Sequence, residues 1–316
     1  MERKVKIGIS ACLLGEHVRY DGGHKRDYYL TDTLGKYAEW VPVCPEVECG
    51  LPVPREAMRL TGDPADPRLT TRMSNIDHTD MMKRWIKGKL PALEREELCG
   101  FIFKSRSPSS GLRGVKVYGP SGTSVRSGSG IFARSFVDRF PFIPPEDDGR
   151  LHSPLLRENF IERVFVFNRW RAFLAKGAKR GDLVSFHTDH KLLLMSHSQK
   201  HYSFLGKMVS DANMRKKVEL LNEYITSLME GLALLATVKK HTNVLMHIAG
   251  YFKKKLSSDE KTELLGVIEG YHQGLVPLIV PITLMNHYVR KFDQQYLKRQ
   301  VYLNPHPLEL MLRNHV

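Results

Sequence analysis

The hydrophobic period of this chain changes once, near residue 150, and that change dictates a fold in two parts. Before it, apolar residues recur at every second position in short runs. Val5, Ile7 and Ile9 alternate with Lys4, Lys6 and Gly8, which predicts a strand. After it, Val218, Leu221, Ile225, Leu228, Leu232 and Leu235 step by three or four and mark one face of a long helix. Ser257 with Glu260 three positions on predicts a capping box, opening a helix that carries Leu264, Leu265, Ile268 and Tyr271. Between the halves, residues 141–154, containing Pro144-Pro145-Glu146-Asp147-Asp148-Gly149, read as a linker. The expectation is an α/β domain with a small parallel-type sheet over residues 1–145. An all-α helical domain follows over residues 155–316, and 316 residues suit two domains.

Three predicted strands of the first half end in loops that hold its reactive side chains. The first runs into Ser10-Ala11-Cys12. The second, Trp40-Val41-Pro42-Val43, delivers Cys44-Pro45-Glu46, and the third, Phe101-Ile102-Phe103, delivers Lys104 through Gly111. Open α/β sheets bind ligands outside the carboxyl ends of their strands, so the site is expected there. Thr31-Asp32 predicts a helix start leading toward Trp40, and a helix is expected over Asp80–Leu90, broken at Pro91.

The most apolar run, Leu275–Met285, is 11 residues long and holds Pro277 and Pro281. A bilayer needs about 18–20, so no membrane span is expected. The first residues show no apolar core before a cleavage site, and a cytoplasmic chain without a secretory leader is expected. Four cysteines in such a chain point to metal binding or catalysis rather than a disulfide scaffold. The formal charge of +14 divides into +4 over residues 1–150 and +10 over 151–316. A basic domain of that kind attracts polyanions, nucleic acid above all, or is simply a soluble basic surface.

Cys44 and Cys49 have four residues between them and could ligate one metal centre from one loop, though no C-x-x-C is present and buried structural thiols give the same pattern. Cys99 precedes the third strand and is expected to pack. Glu46 could serve as a general base beside a metal, or be a loop carboxylate or a partner for Arg55. Ser107, Ser109 and Ser110 could bind a base edge or a phosphate, or form a turn. The glycines at 119, 122, 128 and 130 match no phosphate-binding motif. His197 and His201, at i and i+4, would share a helix face, but no acidic residue follows in the H-E-x-x-H manner, and core or RNA-facing histidines are expected instead. Met195, Tyr202, Phe204 and Leu205 are expected in the core.

At these residues the sequence resembles a known family. Ser10-Ala11-Cys12-Leu13-Leu14-Gly15 with Val18-Arg19-Tyr20-Asp21-Gly22 is similar to the opening motif of the bacterial thiouracil desulfidases. Cys44-Pro45-Glu46-Val47 through Gly50-Leu51-Pro52, then Pro54-Arg55-Glu56, and Lys104-Ser105-Arg106-Ser107-Pro108-Ser109 match its other two motifs. Phe186-His187-Thr188-Asp189-His190-Lys191 and Leu194-Met195-Ser196-His197-Ser198 resemble a YbgA-type domain. The fusion looks like the RNA desulfidases that remove sulfur from 4-thiouridine in tRNA.

The resemblance implies a 4Fe–4S cluster held by three cysteines, with one iron open. Cys12 and Cys44 carry over. The third ligand does not, because this chain has Ser107-Pro108-Ser109-Ser110-Gly111 where the family has a cysteine at the position of Ser110. A serine hydroxyl is a hard ligand for iron–sulfur iron, and Cys49 becomes the expected substitute. Glu46 is then expected to activate water, with Ser107 and Lys104 holding the pyrimidine edge. Sulfur-for-oxygen exchange needs no nicotinamide or flavin. The expected function is desulfidation of 4-thiouridine in tRNA, with tRNA bound by the helical domain. A desulfidase of free thiobases such as thiouracil, and a non-enzymatic RNA-binding or redox-sensing module, are the alternatives.

Overall fold

The computed structural model describes residues 4–119, 121–212 and 216–315. They form two compact units, Met1–Ser153 and Pro154–Val316.

The first unit is built on two four-stranded sheets. One has the order β2-β1-β5-β8, from β1 (Val5–Ser10), β2 (Ala38–Val43), β5 (Gly100–Phe103) and β8 (Pro145–Asp147), and every neighbouring pair is parallel. The smaller sheet has the order β4-β3-β6-β7, from β3 (Met58–Thr61), β4 (Arg68–Thr71), β6 (Val115–Tyr118) and β7 (Ser124–Gly128). Five of the six residues of β1 are buried, as expected for an inner parallel strand covered on both faces. Gly8 is required there, because a Cβ at this position would lie 2.2 Å from the Phe101 ring. Phe101 and Phe103 stack with centroids 4.2 Å apart and meet Phe132 and Phe136 of α3 (Ile131–Arg139). Truncating one such ring to alanine costs about 3–5 kcal/mol.

The register decides where the loops go. Ser10 lies opposite Val43, Ile9 opposite Ile102, and Phe103 opposite Asp147. All four strands therefore finish level, and the chain leaves each at the same edge.

Three local expectations change. Residues 145–147 are not linker but the edge strand β8, where proline suits an edge. The helix α2 (Thr79–Arg95) continues through Pro91, held by the buried Met82, Ile86 and Leu93. Thr31 and Asp32 open no long helix. They lie in a single wide turn, Tyr29–Thr33, and both bond Arg26.

The second unit is helical: α4 (Pro154–Ala175), α5 (Arg180–His197), α6 (Gln199–Ser210), α7 (Lys217–Ala233), α8 (Val238–Gly250), α9 (Ser258–His272), α10 (Ile279–Lys291) and the short α11 (Gln295–Lys298). The Ser257–Glu260 capping box is formed. The buried face of α7 is wider than one stripe, because α4, α5 and α6 all pack on it. Ile225, Leu228 and Leu232 are inside as expected and are joined by Leu220 and Tyr224, whereas Val218 and Leu235 are exposed. Phe204 is likewise exposed, while Met195 and Leu205 are core. His197 ends α5 and His201 lies in α6 beyond the Ser198 cap, so the two share no helix face. His187, His190 and His241 are interior. Arg313 bridges Glu158 at 3.1 Å and Glu162 at 2.7 Å, and His197 Nε2 lies 3.1 Å from Glu162. Burial alone would raise the Glu162 carboxyl, but His197 and Arg313 hold it below the usual range. Among the described residues no helix is long and apolar enough to cross a membrane.

Candidate active site

The level strand ends of the parallel sheet enclose a cleft of about 470 Å³. Cys12 reaches it from the tight turn Ala11–Leu14 that follows β1, and Cys44 from the position that opens the one-turn helix α1 (Pro45–Glu48). Pro45 suits the first helical position, where no N–H is needed, and Glu48 Oε1 accepts the Cys44 amide at 2.9 Å. Burial, the negative charge of an ionised Cys44 and the nearby Asp148 push the Cys12 thiol up to about 11, against the opposing pull of Lys104 and Arg19. Burial likewise raises Cys44. Ionising both thiols therefore needs a cation beside them, which a thiophilic metal supplies.

Glu46, one residue past the start of α1, has both carboxylate oxygens engaged. Oε2 accepts from Arg55 at 2.5 and 2.9 Å, and Oε1 accepts from the Ser109 hydroxyl at 2.7 Å. Ser109 in turn lies 3.0 Å from Ser107 Oγ, which also accepts the amides of Ser109 and Ser110. A continuous chain thus runs Ser107–Ser109–Glu46 along the cleft wall. Gly111 permits it: a Cβ there would meet the Ser107 carbonyl at 2.8 Å, the same carbonyl its amide bonds. Arg55 also donates to the Val18 carbonyl at 3.0 Å, tying the loop after β1 to that after β2.

Lys104 closes another side. Its ammonium donates to Asp148 at 2.8 Å and to the Ser105 hydroxyl at 3.0 Å, while its amide donates to Ser10 Oγ. Burial opposes ionisation of Asp148, yet Lys104 and the Ser105 amide more than offset it and hold the carboxyl below the usual range.

The structure brings Cys12, Cys44, Glu46, Lys104 and Ser107 to this one cleft. It does not bring Cys49. That residue ends α1, and its thiol turns back to the Glu46 carbonyl at 3.2 Å, away from the lining. Ser110 does line the cleft. It is buried, and among the described residues its hydroxyl has no hydrogen-bond partner. Cys99 is buried at the opposite end of β5. Sequence reasoning missed Asp148, inside the stretch read as linker. It also missed the Ser109–Glu46 bond, whose only signal was polar residues at the ends of β2 and β5, the two strands that flank β1.

The model of the 2-thiouracil desulfurase family matches residues 7–148, and that of a protein family of unknown function, DUF1722, matches residues 191–307. The uncharacterized protein YbgA of Escherichia coli (strain K12) is 31% identical over 158 residues, 50% of this chain and 94% of that protein. Among solved structures, the [4Fe-4S]-dependent thiouracil desulfidase TudS is 32% identical, covering 47% of this chain and 94% of its own, with a TM-score of 0.38. Through its first half the chain belongs to the 2-thiouracil desulfurase family, and through its second to the family of YbgA.

Proposed function

We propose that this protein is an iron–sulfur-dependent desulfidase that exchanges the sulfur of a thiolated uracil ring for oxygen. What carries this reading is the meeting of two thiols, Cys12 and Cys44, with the Ser107–Ser109–Glu46 chain on one cleft. The net reaction takes a C=S group and water to C=O and hydrogen sulfide. No electrons are gained or lost, so the balance calls for neither nicotinamide nor flavin.

The donor set fits a cluster. Cys12 and Cys44 would hold it, with the hydroxyl of Ser110, which lines the same cleft, as the third ligand. When bound, such a cluster supplies a soft Lewis acid that draws electron density from a thiocarbonyl sulfur. The chain's own residues do the rest. Ser107 Oγ takes the proton of the attacking water and gives its own to Ser109 Oγ, which gives its own to Glu46 Oε1. Arg55 keeps Glu46 aimed along this chain. Lys104, anchored by Asp148, donates to a pyrimidine oxygen and stabilises charge developing on the ring. The proton returns by the same path to leave with sulfide.

The ring is common to free thiobases and to thiolated nucleotides. For the substrate that carries it, tRNA is the second reading, favoured by the charge of +10 over residues 151–316 and by the exposed run Lys253-Lys254-Lys255. The test is anaerobic reconstitution followed by sulfide release from 4-thiouracil and from thiolated tRNA. Release from either, abolished in Cys12→Ser, supports the desulfidase. A reconstituted chain that releases none from any thiolated pyrimidine refutes it.

A further inference from the structure

The interior of the helical unit holds a second group of side chains able to ligate a metal. Glu158 and Glu162, one turn apart on α4, share a helix face. His306 joins them from beyond the turn Val301–Leu303. Each of the three offers one ligand atom, and these atoms lie within 4.8 Å of one another. All three residues are buried, His306 to the extent that 7% of it is exposed.

Two carboxylates in a protein interior need cations beside them, and Arg313 meets part of that need. It donates to one oxygen of each: Nε to Glu158 Oε1 at 3.1 Å and Nη2 to Glu162 Oε1 at 2.7 Å. His197 takes Glu162 Oε2 at 3.1 Å. Glu158 Oε2 faces the His315 ring at 3.6 Å, too long for a hydrogen bond.

These ion pairs leave His306 unexplained. Its Nδ1 lies 3.2 Å from the Pro307 carbonyl. A carbonyl oxygen only accepts, so Nδ1 carries the ring proton and Nε2 presents a lone pair. Nε2 is buried, and among the described residues it has no hydrogen-bond partner. Metal-ligating histidines are built in this way: one ring N–H donates to a carbonyl, which fixes the tautomer and aims the other nitrogen at the ion.

We infer that Glu158, Glu162 and His306 bind a divalent metal ion of the zinc class. Two carboxylate oxygens and one imidazole nitrogen suit such an ion, and three protein ligands with a water is a coordination zinc adopts. Tetrahedral ligands at about 2.1 Å from zinc stand about 3.4 Å apart, so side-chain shifts of about 1 Å or less complete the site. A cavity of about 10 Å³ borders His306 and Arg313. It has room for about one water, the fourth ligand, and for no substrate. The ion is therefore structural: it ties the segment after Leu303 to α4. Arg313 stays outside the coordination shell and holds Oε1 of each carboxylate in place. The inference is independent of the desulfidase reading.

The experiment uses the full chain carrying Cys12→Ser, Cys44→Ser and Cys49→Ser, so that these thiols take no zinc, with and without His306→Phe. Both proteins are stripped with a chelator and titrated with zinc chloride by calorimetry, and the Tm of the helical signal is followed. The expected result is one zinc per chain that depends on His306. His306→Phe should cost about a hundredfold or more in affinity, since loss of an outer-shell partner alone costs about 10–100-fold. Zinc should raise the Tm of the first protein and leave that of His306→Phe unchanged. Exposed histidines bind zinc alike in both, so the difference between the two decides. Equal zinc affinity overturns the inference, as does a zinc-independent Tm in the protein that keeps His306. Should His306→Phe not fold, anomalous scattering at the zinc edge from crystals of the protein that keeps His306 decides instead. A peak among Glu158, Glu162 and His306 supports the ion, and a water there, which gives no peak, refutes it.

Discussion

Ser109 donates its hydroxyl proton to Glu46 Oε1 at 2.7 Å, across 63 residues of chain. The other oxygen of the same carboxylate is held by Arg55, so Glu46 has one direction in which to receive a proton. Glu46→Gln keeps the shape and an acceptor oxygen but is no base. Turnover is expected to fall by about 10² or more, while iron content and the visible absorbance of the loaded protein stay unchanged. Near-normal turnover in Glu46→Gln removes the residue from the proton path.

Of the two candidates for a third ligand, Ser110 lines the cleft with Cys12 and Cys44, and Cys49 does not. Cys49→Ser should leave the iron content of the reconstituted protein unchanged, since its thiol faces the Glu46 carbonyl. Ser110→Cys should increase iron content and slow its loss to a chelator, because a thiolate binds iron–sulfur iron better than a hydroxyl. Iron loss on Cys49→Ser, with no gain in Ser110→Cys, would restore Cys49 as the third ligand.

Acid should weaken the helical unit before it protonates most carboxylates. Burial lowers His190 and His241 to about 3, and His306 to about 4, from the ordinary 6.5. A group with a depressed folded pKa binds its proton first in the unfolded chain, so stability falls as pH drops from 6.5 toward 4. At pH 5 each such histidine costs about 2 kcal/mol relative to pH 8. Urea midpoints of the helical signal should fall steadily through this window. His190, whose Nε2 is buried without a partner, makes the sharper test: His190→Phe should flatten the pH dependence. A profile that is level between pH 7 and 5 contradicts it.

If tRNA is the substrate and is held chiefly through phosphates, its affinity must depend steeply on salt. Five or six phosphate contacts give a log–log slope of about −4 to −5. Filter binding between 50 and 250 mM salt measures it, and a slope near zero leaves only small substrates.

The strand ends could be read in advance because alternation and loop chemistry coincide at Ser10, Val43 and Phe103. Other features lay beyond that kind of reading. Asp148 sits in a run of two prolines and three acids, and only its pairing with β5 shows that Pro145–Asp147 is a strand. Cys44 and Cys49 are close in sequence, yet five helical steps of about 100° turn their side chains roughly 140° apart. The buried face of α7 depends on three packing helices, which one helix's periodicity does not reveal.

Cys12 and Cys44 stand 32 residues apart and share a cleft only because β1 lies in register with β2. A slip of one residue would carry Cys44 about 3.3 Å along the sheet and turn its side chain to the opposite face. The site therefore does not exist in the nascent or misregistered chain. A cluster held by these two thiols would have to enter after the parallel sheet has closed, because a misregistered copy offers iron no pair of thiols to capture. Its insertion would then be ordered by topology, the sheet proofreading itself first.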